Sequence, residues 1–141
     1  MKKALLYRLF GVGKLPPAAA QALASEDIVL SDEGIRSSLT YRNFRSPGRI
    51  SSYRKVGLIT SMAVTSKRLA AFSGTNAIID VELTDPRIKQ ISLSIEPNGA
   101  LLAAFDASLF HDDWSGDLEY RFKTPLSKQI IDQIGIGSRK H

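Results

Sequence analysis

The sequence predicts a mainly β domain: an antiparallel meander of about seven or eight strands, closed by one C-terminal α-helix and preceded by a short helical extension. Three stretches carry this expectation. Gly57–Phe72, GLITSMAVTSKRLAAF, reads with period two as a strand, a tight turn at Ser66–Lys67 and a second strand. Pro97-Asn98-Gly99 is the sharpest turn signal in the chain, because Asn-Gly tolerates the positive φ of a tight hairpin. Finally, TPLSKQIIDQI (Thr124–Ile134) is an amphipathic helix. Thr124 suits the N-cap and Pro125 the first helical position, and Leu126, Ile130, Ile131 and Ile134 form one apolar stripe. That stripe needs an open sheet face or barrel mouth to bury it.

The elements follow in order. Met1–Phe10 predicts a short helix, with Leu5, Leu6, Leu9 and Phe10 on one side and Gly11 and Gly13 ending it. Pro17–Ala24 predicts a second, started by Pro16-Pro17. Both are expected either to pack on the body or to form a loosely ordered arm; the functional alternative is an interfacial basic helix, weak at this length. Ile28–Leu30 reads as a short strand, Ser31–Gly34 as a turn and Arg36–Phe44 as a strand. Ser46-Pro47-Gly48 is a turn, Arg49–Lys55 a strand, Gly57 a bend or bulge, and Leu58–Thr65 and Arg68–Phe72 the central hairpin.

After a turn at Ser73–Asn76, Ala77–Leu83 reads as a strand ended by Thr84-Asp85-Pro86. Arg87–Glu96 reads as a strand with Ile91, Leu93 and Ile95 on one face, and Ala100–Phe110 as its long return. His111–Gly116 is a polar loop. Asp117–Lys123 then alternates Leu118, Tyr120 and Phe122 against Glu119, Arg121 and Lys123. Gly135 is read as the helix stop and residues 136–141 as a disordered tail. The expected organisation is thus an extension over 1–34, a β domain over 35–135 and the tail. Short connections favour antiparallel neighbours.

At 141 residues, with 43% apolar and 23% charged residues, the chain is long and apolar enough for one cored domain. It has no cysteine, which excludes disulfides, thiolate metal sites and a cysteine nucleophile. No apolar run approaches the ~20 residues of a membrane span. A secretory signal is not expected, since Arg8 interrupts the apolar patch and prolines precede the nearest small-residue site. A cytoplasmic protein, peripheral at most at the inner membrane face, is the expectation.

Net charge is +5, but it is unevenly spread. Residues 1–68 hold 12 Lys/Arg against 4 Asp/Glu, whereas residues 69–141 hold 7 against 10. From Arg36 to Arg68 there are eight basic residues and no acid. If those strands share one end of the fold, that end attracts phosphate-bearing partners or anionic membrane.

The central hairpin AVTSKRLAAFSG (Ala63–Gly74), the following IIDVELTDPRIKQI (Ile78–Ile91) and the final TPLSKQIIDQI resemble the pleckstrin-homology superfold in its bacterial and GRAM-like forms. Thr65, Arg68 and Leu69 match a T-x-x-R-L turn common in such domains. The resemblance covers roughly residues 35–135. It implies a bent seven-stranded barrel plugged by the C-terminal helix, and a binding module rather than an enzyme. Some members bind phosphoinositides through Lys and Arg near the first strands, and many bind proteins. By composition and position, Arg42, Arg45, Arg49, Arg54 and Lys55 are the candidate ligand-binding residues here. A protein partner or an anionic membrane surface is the expected partner.

Other candidates are weaker. His111-Asp112-Asp113, with Asp106 and Asp117, has the residue types of a hard-metal site or an acid–base pair, and supports the alternative of a ligand-binding or enzymatic barrel. Asp in such a loop more commonly caps the backbone, so no catalytic residue, metal or cofactor is assigned. Trp114 is either folded over a core edge or an exposed partner-binding anchor. Tyr41, Phe44 and Tyr53 among the arginines suit nucleic acid, but no RNA-binding motif accompanies them, and that partner is not favoured.

Overall fold

A computed structural model describes residues 3–139, so the expected start of the first helix at Met1 and the tail residues 140–141 lie outside the described residues. The chain forms α1 (Leu5–Phe10), α2 (Pro17–Ala24), β1 (Ile28–Ser46), β2 (Arg49–Thr65), β3 (Arg68–Ser73), β4 (Asn76–Glu82), β5 (Ser92–Ile95), β6 (Leu101–Asp106), β7 (Ser115–Phe122) and α3 (Ser127–Arg139). The seven strands make one antiparallel sheet in the order β4-β3-β2-β1-β7-β6-β5, curled into a half-barrel.

β1 is the spine. It pairs with β2 from Ile28 to Ser46 and with β7 from Ser37 to Arg45. The expected turn at Ser31–Gly34 is a bulge inside this single strand: Asp32 opposes Met62 and Ile35 opposes Thr60, which leaves one extra residue on β1. The expected boundary at residue 34 therefore falls within β1. The bulge survives as strand because the extension satisfies it. Ala4 N–H donates to the Gly34 carbonyl at 2.9 Å, and Gly34 N–H to the Gly13 carbonyl at 3.0 Å. Glu33 accepts from the Tyr7 hydroxyl at 3.2 Å and the Leu15 N–H at 2.7 Å, and Lys3 pairs with Asp32. α2 lays Leu23 on Ala63, Ala70 and Phe72, on the convex side of β2 and β3.

Gly57 is likewise no bend. It sits opposite Ser38 in unbroken register, so Arg49–Thr65 is one strand. The strand expected over Arg87–Glu96 begins only at Ser92. Pro86–Gln90 is a 3-10 turn, because the Asp85 carboxylate accepts from Arg87 N–H at 2.9 Å and holds the chain in a cap. Asp106 ends β6 the same way by accepting from Ser108 N–H at 2.8 Å, so Ala107–Leu109 is helical rather than strand.

The core lies on the concave face, where Ile35, Met62, Leu69, Ile79, Leu101 and Phe122 are buried. α3 plugs one end. Thr124 Oγ1 accepts from Leu126 N–H and donates to Asp32. Ser127 Oγ donates to the Gly99 carbonyl at 2.7 Å, beside the β5–β6 turn. Ile130 and Ile134 are buried in the core, and Gly137 abuts Leu83, just past β4. The helix thus bridges from one edge of the sheet to the other. Gly135 does not stop it, and residues 136–139 are helical rather than tail.

The T-x-x-R-L turn is a structural knot. Thr65 Oγ1 accepts from Lys67 and Arg68 N–H, and donates to Glu26 at 3.1 Å. Arg68 pairs with Glu26, Asp80 and Glu82. The hydrogen bond from Arg68 holds the Glu26 carboxyl below its usual range, with Thr65 reinforcing it against partial burial.

Because the folded Glu26 titrates lower than its ordinary 4.5, its contribution to stability is present above that value and is lost as pH falls through the lowered one. Thermal melts of Glu26→Gln below pH 4.5 will therefore show a shallower acid dependence than the parent. Gly116, at φ +99°, faces Asn43 at the irregularity in the β1–β7 pairing, where a Cβ would run into the Asn43 carbonyl. Gly116→Ala should cost about 2 kcal/mol or more in denaturant unfolding.

Candidate functional site

The five basic candidates all lie on the β1–β2 ribbon, which runs beyond the rest of the sheet on its β2 side. β2 pairs with β3 only from Thr60 to Val64, so its stretch from Arg49 to Ile59 has β1 on one side and no strand on the other. The turn at Pro47-Gly48 closes the ribbon. Arg45 pairs with Ile50, Ser46 with Arg49, Tyr41 with Arg54 and Thr40 with Lys55. Arg45, Arg49, Arg54 and Lys55 are exposed and have no carboxylate partner among the described residues. Between them stand Ile50, 74% exposed, and Tyr53, 58% exposed. Two large apolar groups thus face water amid four unpaired cations.

Arg42 is set apart. Its Nε donates to Glu119 at 2.8 Å, and its guanidinium lies 5.3 Å from the Tyr53 ring centre. Glu119 also accepts from Arg121, which pairs in turn with Glu96. Burial pushes the Glu119 carboxyl up, but the hydrogen bonds from Arg42 and Arg121 outweigh it and leave the group lowered. Arg42 therefore ties β1 to β7 more than it offers charge to a partner.

A second basic surface adjoins the first. Arg36, Lys55, Arg121 and Lys123 line one cleft with Ser37, Ser38 and Asn98. Arg121 is taken by its acids, but Arg36, Lys55 and Lys123 have no ion-pair partner among the described residues. The alternation of β7 placed Arg121 and Lys123 on one face. Only the β1–β7 pairing, Ser38 opposite Arg121 and Ser37 opposite Phe122, brings that face beside Arg36 and Lys55.

Trp114 is half-buried and leans on the core. It stands edge-on to Phe44, with centroids 5.3 Å apart, and stacks on the His111 ring at 3.6 Å. Phe44 meets Tyr41 edge-on at 4.9 Å, and the Arg49 guanidinium lies 5.4 Å from the Tyr41 ring centre. A continuous chain of rings thus joins the ribbon tip to the His111 loop. Asp106 is engaged in its own turn, and its carboxyl is lowered by the Ser108 hydrogen bonds. Among the described residues, no three His, Asp or Glu side chains converge as metal ligands would. No described helix is long and apolar enough to cross a membrane.

Compared with protein-family models and with curated proteins, the chain matches none.

Phe44 is the keystone of the ring chain, at 2% exposure. Phe44→Ala should destabilise the fold by about 3 kcal/mol and shift the emission of Trp114 to the red, both read in one fluorescence-monitored urea titration.

Proposed function

We propose that the chain is a non-enzymatic, pleckstrin-homology-like binding module that docks on anionic membrane through the tip of its β1–β2 ribbon. One observation carries the reading: Ile50 and Tyr53 are exposed at a projecting tip, ringed by Arg45, Arg49, Arg54 and Lys55, which have no ion-pair partner among the described residues. Cations draw the tip to a negative surface, each contributing about 1 kcal/mol near anionic lipid. The aliphatic and aromatic side chains then gain by leaving water at the headgroup boundary. Arg36, Lys55 and Lys123 extend the positive field along the ribbon. The seven-stranded half-barrel with its C-terminal plug agrees with the architecture that the sequence resemblance implies. A second reading, an extended segment of a protein partner added to the ribbon, is favoured by the unpaired edge of β2 from Arg49 to Ile59.

Sedimentation with phosphatidylcholine vesicles, with and without phosphatidylserine, tests the first reading. Binding should require the anionic lipid and weaken as salt rises. The triple change Arg45→Ala, Arg49→Ala, Arg54→Ala should reduce affinity by roughly tenfold or more, and Ile50→Asp should reduce it while leaving the melting temperature near the parent value. Equal sedimentation with neutral and anionic vesicles would remove membrane docking and leave edge-strand pairing as the reading to pursue.

A further inference from the structure

The end of the half-barrel opposite α3 opens into a cavity of about 540 Å³ that the basic ribbon does not use. Leu39, Leu58, Phe105 and Leu118 are among its apolar lining, and Phe110, His111 and Trp114 line it from the loop side. Among the described residues, no Lys, Arg, Asp or Glu lines it. Its volume lies within the ~300–1,000 Å³ typical of small-molecule sites, which combine apolar walls with a few placed polar groups.

Ser73, Thr75, Asn76 and His111 give the rim polar groups, and two phenols join them. Tyr120 is 5% exposed, and its ring is held between Phe105, at 5.8 Å, and Phe122, at 6.0 Å, both nearly parallel to it. Its hydroxyl has no hydrogen-bond partner among the described residues. Nor is it sealed: the one fully enclosed side-chain polar atom without a partner among the described residues is Ser61 Oγ. The Tyr120 hydroxyl therefore reaches open space, and the space that Tyr120 lines is the cavity. Tyr41 lines the same cavity, and its hydroxyl is also without a partner among the described residues. Burial, and then the neighbouring Tyr41, push the Tyr120 hydroxyl up in pKa, so it remains a proton donor. A nearly buried phenol that opens on a largely apolar cavity is placed to donate to an acceptor that a ligand carries in.

We infer that this cavity binds a neutral, planar and largely apolar small molecule carrying one hydrogen-bond acceptor, which takes its hydrogen bond from the Tyr120 hydroxyl. Among the described residues no Lys, Arg, Asp or Glu stands in the lining to offset the desolvation of a strongly ionic ligand, which favours a neutral one. The aromatic lining of Phe105, Phe110, Trp114 and Tyr120 favours a flat shape that can lie against rings.

The test uses 6-propionyl-2-dimethylaminonaphthalene, a neutral flat ketone whose emission reports both polarity and hydrogen bonding at its carbonyl. Titrated into the full chain without lipid, it should bind saturably, with a blue-shifted emission sensitised by Trp114, which lines the cavity. Tyr120→Phe, which keeps the ring stack, should weaken binding roughly fivefold, the fold-change of one hydrogen bond, and shift the bound emission further to the blue. A competing naphthalene without the carbonyl, 2-ethylnaphthalene, should displace the probe equally well from both proteins. The triple arginine variant should bind the probe as the parent does, which separates this site from membrane docking. Absence of saturable binding, binding without sensitisation by Trp114, or identical affinity and emission for the parent and Tyr120→Phe would each overturn the inference.

Discussion

One strand bears on every other part of the fold. β1 is hydrogen-bonded on both sides, to β2 along its length and to β7 over its second half. A straight strand in that position would hold a flat sheet, whose concave face could not close on a core. Extra residues at three places bend it, and two of these carry left-handed backbone. At one of the two, Gly34 takes φ +64° and the N-terminal extension supplies the hydrogen bonds that the bulge gives up. At the other, Asn43 takes φ +50° opposite Gly116 at +99°, a pairing open to these two residue types because Asn and Gly tolerate left-handed backbone. Curvature, core and cavity all follow from those irregularities. β4 and β5 end at opposite edges, and α3 spans between them instead of strand pairing.

The charges divide along the same lines. Arg68, Arg42 and Arg121 sit where strands meet, and carboxylates from neighbouring elements engage them. These ion pairs join segments far apart in sequence and leave little charge for a partner. The cations on the free part of the ribbon have no such neighbours, because β2 has no strand beside it there. The division between structural and available charge is therefore set by strand pairing. Both kinds of arginine occur in the same acid-free run of sequence.

Some elements were readable from local chemistry. α2 has the predicted bounds, since a proline start and an alanine-rich run need no tertiary help to be recognised. The turns at Pro47-Gly48, Ser66-Lys67 and Asn98-Gly99 lie where their residues place them, and the alternation of Leu118, Tyr120 and Phe122 is the inward face of β7. The misreadings share a cause. Ser31–Gly34 and Gly57 have turn composition but lie inside long strands, where cross-strand hydrogen bonds outweigh local preference. Ile91 continued the alternation of Leu93 and Ile95, yet it and Ile88 are buried around a capped 3-10 turn, because residues three apart share one side of a helical turn but lie on opposite faces of a strand. α3 runs past Gly135 because Gly137 lets the helix approach Leu83 closely, a contact 54 residues away in the chain that no local signal encodes.

The same boundary separates what is known of the sites. The sequence by itself determined that the fold is mainly β with a helical plug, and that the positive charge is concentrated in its first half, because periodicity and composition are local properties. Only the tertiary structure decided which of those charges are engaged, that Ile50 and Tyr53 stand exposed among the remainder, and that Tyr41 and Tyr120 face one cavity. Each of these is a relation between strands. The register that creates it comes from bulges and pairings whose partners lie tens of residues apart.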